Sequence, residues 1–102
     1  MVNITIIRKR IGDTEGLIQI TVELLKQYSF SIFEYYTINA GVTKYRYQLM
    51  NPQKELVVRW DNAPHYPQMS SFPHHFHHQD EVLESKHYTL QNILNLISKY
   101  LQ

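Results

Sequence analysis

The sequence predicts an α+β fold, an antiparallel β-meander of about five strands with one C-terminal amphipathic helix packed on one face. Three observations predict it. Between residues 3 and 60, apolar and polar residues alternate in successive runs separated by short turn segments. Eight tyrosines and four phenylalanines in 102 residues supply broad rings that pack well on a pleated surface. Near the C-terminus, YTLQNILNLISKYLQ instead repeats its leucines and isoleucines at helical spacing.

The runs NITIIRKRI, LIQITVEL and FSIFEYYTI read as the first strands. In the second, Ile18, Ile20, Val22 and Leu24 fall on one face and Gln19, Thr21 and Glu23 on the other. A helix over residues 15–27 is the competing reading, because VELLKQ contains good helix formers. The β-branched alternation ahead of it argues for strand. Asn39 and Gly41 supply a turn, after which KYRYQLM sends Tyr45, Tyr47 and Leu49 one way and Lys44, Arg46 and Gln48 the other. MNPQKE is a second turn, containing Pro52, and ELVVRW resumes the alternation with Leu56, Val58 and Trp60 inward. Turns this short imply antiparallel neighbours and leave one sheet face needing cover. Leu90, Ile93, Leu94, Ile97 and Leu101 provide it from one side of a helix whose start Thr89 or Ser85 can cap. A chain of this length makes one domain, residues 1–102, because a single core of that size already buries roughly 60–70% of the unfolded surface.

Composition excludes several classes. Hydrophobic residues at 43% and charged residues at 19% describe an ordered chain. The absence of cysteine removes both a disulfide framework and a thiolate zinc site. No apolar run approaches the ~20 residues of a membrane span. MVNITIIRKR places its apolar residues before its basic ones, the reverse of a secretory signal, so a cytoplasmic protein with no membrane partner is expected. A net charge of +1 gives no long-range pull on nucleic acid, so such binding needs a local patch. The charges are uneven: residues 1–60 hold eight Lys/Arg against five Asp/Glu, and the remainder holds two against four, with all six histidines.

The segment RWDNAPHYPQMSSFPHHFHH, residues 59–78, contains five of the six histidines and three of the four prolines. Pro64, Pro67 and Pro73 exclude a continuous helix and stiffen the backbone, which suits a site whose groups must be held in place. If HHFHH is extended, His75 and His77 share one face and His74, Phe76 and His78 the other. With Phe76 inward, His74 and His78 lean in and His75 and His77 face out.

Three chemistries compete for this segment. An H-x-H pair with Asp61 or His65 gives a His/carboxylate site for zinc or another borderline divalent metal, with Asp61, His65, His75 and His77 as the ligand set. Two imidazoles flanking a phosphodiester instead give metal-free general acid–base catalysis, with Arg59 steadying the phosphate charge and RNA supplying its own 2′-hydroxyl. A structural account has Asp61 and Asn62 capping the turn and the rings bonding loop backbone. That account serves any single histidine better than it serves five. Arg8, Lys9 and Arg10 form a basic run, and Lys44 and Arg46 alternate with tyrosines in a mix suited to RNA phosphates and stacking, or to a solvated strand face. Glu34 shares a face with Ile32 and Tyr36, so it needs a partner or an edge. No Gly-rich phosphate loop, HExxH or nucleophile elbow occurs.

DNAPH and then FPHH, after a KYRYQL…KELVVRW hairpin and before a leucine-rich helix, resembles the TumE family of small toxins over most of the chain. The resemblance implies the toxin of a toxin–antitoxin pair, with a helix-turn-helix antitoxin as partner. Phe76 stands where the family's pattern is expected to carry lysine, which removes one phosphate contact.

The expected function is therefore a toxin acting on RNA as a metal-independent endoribonuclease. His65 and His74 are its acid–base pair, Arg59 its charge stabiliser and Asp61 the orienter of a histidine. His75, His77 and Asn62 are secondary candidates, with Lys44 and Arg46 on the RNA. The rival is a non-catalytic module, or a metal-binding one, whose loop docks the antitoxin. Convergence of the histidines with Arg59 in one concavity favours chemistry over docking. An open sheet edge also suits pairing with a second copy.

Overall fold

A computed structural model describes residues 3–101. Its elements are β1 (Asn3–Ile11), β2 (Glu15–Glu23), β3 (Ser29–Thr37), β4 (Gly41–Met50), β5 (Leu56–Asp61), β6 (His75–His78), β7 (Glu81–Glu84) and α1 (Leu90–Ile97). The strands form one sheet in sequence order, each antiparallel to the next. The α+β meander with its C-terminal helix is as expected. The strand number is corrected from about five to seven.

Both additional strands come from the end of the histidine segment and the residues just beyond it. HFHH forms β6, and Gln79 and Asp80, with φ of 52° and 64°, turn the chain directly into β7. Positive φ at both central residues suits a two-residue hairpin, because its twist then matches that of the strands. Glutamine is an uncommon choice there, and the usual Asn-Gly or Asp-Gly signal is missing. The Asn39 and Gly41 turn does form, with Gly41 at φ 71°. The strand reading of residues 15–27 holds through Glu23, and one 3-10 turn comes next at Leu25–Gln27.

The two faces of the sheet differ in cover. Phe30, Ile32, Tyr45, Tyr47, Leu49, Val58 and Trp60 lie on one face and are buried, with Ile93 and Ile97 of α1 packed against them. Burying each of those two isoleucines is worth about 1.5–3 kcal/mol. Trp60 stacks against Phe76 at 6.4 Å and meets the edge of Tyr100 at 6.3 Å, which ties β5, β6 and the end of the helix together. Thr89, not Ser85, caps the helix: its hydroxyl accepts from the Asn92 N–H, and the Asn92 side chain reaches back to the Thr89 N–H. Leu56 and Leu94, both expected inward, are exposed. Glu34 on the covered face accepts a 2.6 Å hydrogen bond from the Tyr47 hydroxyl, which supplies the partner it needs. Among the described residues, no helix is long and apolar enough to cross a membrane.

Candidate active site

Among the described residues, no helix lies on the opposite face. Register places Arg8, Gln19, Phe33, Arg46, Asp61, His75 and Glu84 side by side across all seven strands. The adjacent row carries Gln48, Arg59 and His77. The alternation that sends Tyr45, Tyr47, Val58, Trp60 and Phe76 into the core therefore sends Lys44, Arg46, Arg59, Asp61, His75 and His77 to this face.

After β5 the chain folds back over it as the proline-stiffened loop. A cavity of about 620 Å³ lies between loop and sheet, and its walls include Phe33, Arg46, Arg59, Asp61, His65 and His77. Lys44, Asn62 and His75 also border it. Under the loop, His75 is only 1% exposed. The expectation that His75 and His77 share a face is met, but His75 does not face out. The loop after Asp61 covers it, with the Tyr66 ring edge-on to His75 at 4.8 Å and to His77 at 6.3 Å. Phe76 packs against the core and His78 sits edge-on to Tyr100 at 5.6 Å, so the other face is as expected.

Asp61 is the centre of the cavity floor. Its Oδ1 is 2.9 Å from His75 Nε2 and its Oδ2 is 3.5 Å from His77 Nε2. Oδ1 also accepts from the Ala63 N–H at 3.0 Å, and His75 Nδ1 lies 3.0 Å from the Pro73 carbonyl oxygen. Both side chains are thus held from behind by loop backbone. Burial holds His77 below the ordinary imidazole range, while Asp61 pulls it the other way. Together Asp61, His75 and His77 present three ligand atoms within 4.8 Å of one another, a set able to hold a metal ion.

His65 and His74 are not brought together. His65 is exposed at the cavity rim beside Tyr66, whereas His74 borders a separate depression with Ser71, Glu84 and His87. The His74 ring stacks on His87 at 4.4 Å, and its Nδ1 is 2.8 Å from the Tyr45 hydroxyl. Burial, then the neighbouring His87 and His75, hold His74 below the usual imidazole range. Arg59 does border the cavity, aimed by its Nε donating to Gln48 Oε1 at 2.8 Å. Asn62 has a mainly architectural position: its Oδ1 accepts from the Tyr45 N–H and its Nδ2 donates to the Thr43 carbonyl, which extends the β4–β5 ladder past its last pair.

Phe33 and Tyr35 are the residues that sequence reasoning passed over. Arg46 lies over the Phe33 ring at 5.6 Å, Arg8 approaches it from the other side at 6.0 Å, and Lys44 lies over Tyr35 at 5.5 Å. The Tyr35 hydroxyl donates to Glu15, whose carboxylate is 3.4 Å from Arg10. The signal was legible: Phe33 and Tyr35 fall on the face of β3 that also carries Ser29 and Ser31, where packing asks for no ring.

Neither a curated protein nor a solved structure matches the chain. The family model described as "Toxin TumE" matches residues 1–102, the whole chain.

Proposed function

The chain belongs to the TumE toxin family, and on that premise we propose that it binds single-stranded RNA along the open sheet face and cleaves it in the Asp61–His75–His77 cavity. One observation carries the reading. In the row Arg8–Gln19–Phe33–Arg46 both arginines lie over the Phe33 ring, and the row continues directly into Asp61 and His75. Rings between cations suit an unpaired strand, whose bases stack while its phosphates are neutralised.

In this reading Arg46 and Arg59 hold the scissile phosphate against the cavity floor. The 2′-hydroxyl oxygen attacks phosphorus, the bond to the 5′-oxygen breaks, and the products are a 2′,3′-cyclic phosphate and a 5′-hydroxyl. The 2′-hydroxyl proton leaves to the cluster on the floor, and His65 at the rim returns one to the departing oxygen. His74 has no part, since it lies outside the cavity. A toxin also implies an antitoxin, and a helix-turn-helix protein that masks the same face is the inferred partner.

The test is incubation of the purified chain with end-labelled single-stranded RNA and with DNA of the same sequence, with and without divalent ions. RNA should be cut to cyclic-phosphate ends and DNA left intact, and Arg59→Ala should slow cutting by about 100-fold or more. Intact RNA under every condition overturns the reading.

A further inference from the structure

We propose that Asp61, His75 and His77 bind one divalent ion of the borderline class, such as zinc or cobalt, with its remaining coordination positions open to the cavity. The inference begins with the proton on His75. A carbonyl oxygen only accepts, so His75 Nδ1, 3.0 Å from the Pro73 carbonyl, carries the hydrogen. In the neutral ring, Nε2 then turns a lone pair toward Asp61 Oδ1 at 2.9 Å. Two acceptors at that distance need either a shared proton or a metal ion between them.

His77 decides between the two. A shared proton accounts for the Asp61–His75 contact alone, with His77 Nε2 3.5 Å from the other carboxylate oxygen, beyond a good hydrogen bond. An ion uses all three side chains. Metal–ligand bonds of about 2.0–2.2 Å place neighbouring ligand atoms about 3.0 Å apart around an octahedral ion and about 3.4 Å apart around a tetrahedral one. The observed 2.9 and 3.5 Å, one to each carboxylate oxygen, lie close to those separations, and the three ligand atoms all fall within 4.8 Å of one another.

The supporting contacts fit as well. Histidine ligands donate their second N–H to a backbone carbonyl, and ligating carboxylates are themselves hydrogen-bonded. His75 does the first with Pro73 and Asp61 the second with Ala63. Two imidazoles and one carboxylate suit ions between the soft thiolate-seeking and the hard oxygen-seeking classes, and three protein ligands leave room for a water or a phosphate oxygen. Arg46 and Arg59 border the same cavity and oppose a cation, which sets the affinity below that of a closed structural site. An ion occupies the groups that take the 2′-hydroxyl proton in the metal-free scheme, so its use, polarising a phosphate oxygen held by those arginines, would replace that role and rests on the RNA reading. Its binding does not.

The experiment is calorimetric titration of the whole chain, stripped with EDTA and dialysed, with Zn²⁺ and with Co²⁺. One ion per chain should bind. His77→Ala, at a half-buried position whose loss leaves the core intact, should weaken it at least about 100-fold with an unchanged circular dichroism spectrum. His87→Ala, outside the cavity, should bind as the native chain does. No binding by the native chain, or equal binding by His77→Ala, overturns the site. RNA cleavage by the stripped chain removes the ion from the chemistry and leaves the RNA reading standing. Stoichiometric binding with no RNA cleavage under any condition supports the ion site and removes the RNA reading.

Discussion

β1 and β6 invert the usual relation between polarity and burial. All nine residues of β1 are exposed, among them Ile4, Ile6, Ile7 and Ile11, whereas none of the four residues of β6 is exposed although three are histidines. Exposed isoleucines on an edge strand cost little, since much of any protein surface is apolar. Sheltered imidazoles are expensive unless each finds a partner. The difference teaches where the fold concentrates its organisation. Helix and proline loop converge on β4 to β7, the core adds Phe30 and Ile32 of β3, and the outward faces of β1 to β3 extend from them as a platform.

The largest effect that sharpens this contrast comes from the core behind the site. Trp60→Ala removes a ring that contacts both Phe76 and Tyr100, and it should lower unfolding stability by about 3–5 kcal/mol in urea titrations. A loss under about 1 kcal/mol would mean that α1 and β6 are not held by the shared core.

Alkali should find the same end of the molecule. Burial, with the Asp61 charge adding to it, pushes the Tyr45 hydroxyl up to about 12, and Tyr47 is raised further by burial and its bond to Glu34. A raised phenol pKa means that the folded state keeps its proton where the unfolded state has lost it near pH 10. The contribution is therefore complete below pH 10 and is lost as pH climbs from there through about 12, by on the order of 2–3 kcal/mol for Tyr45. Urea midpoints measured from pH 8 to 12 should fall only above about pH 10. Tyr45→Phe should flatten that fall, and an equal fall in the variant would place the sensitive groups elsewhere.

How much of the fold and site is readable in the sequence depends on the range of the signals. The alternation around Tyr45, Tyr47 and Leu49 is local, and it places β4 and its neighbours on the correct faces. The register of Arg46 with Asp61 and of Asp61 with His75 is not local, because it depends on where each hairpin turns. The β6–β7 hairpin turns at Gln79–Asp80, a pair with weak turn chemistry, so the four-residue β7 leaves little trace in the sequence. Alternation does assign neighbouring histidines to opposite faces, but it does not show which face the loop covers. His74 precedes the strand and stacks on His87, while His75, one residue later, is carried to the other face and under the loop. The expected pairing of His65 with His74 fails geometrically at that one-residue boundary.

On the platform, the RNA reading predicts a binding effect without a stability effect. Phe33→Ala removes the ring between Arg8 and Arg46, and loss of one stacked base is worth about 1–3 kcal/mol, or roughly 5- to 150-fold in affinity. Fluorescence anisotropy with a short labelled RNA measures it. Unchanged affinity would mean that RNA does not use the Phe33 ring, which lies on the platform and also walls the cavity.

The smallest expected effect tests whether β1 is as free of the core as its exposure implies. Ile6 pairs with Ile20, which lies only at the margin of the core, and is itself 58% exposed. Ile6→Thr keeps the branched β-carbon that suits a strand while removing apolar surface, so unfolding stability should change by no more than about 0.5 kcal/mol. A loss of about 2 kcal/mol or more that deepens as protein concentration rises would mean that something covers this strand in solution. An open edge whose N–H and C=O groups are unpaired is suited to a second copy of the chain, and sedimentation of the native and Ile6→Thr chains would then differ. With stability and sedimentation both unchanged, β1 is an edge held by its ladder to β2 and by the bonds of Arg8 to Gln19 and of Arg10 to Glu15, with both arginines on the exposed side of the strand.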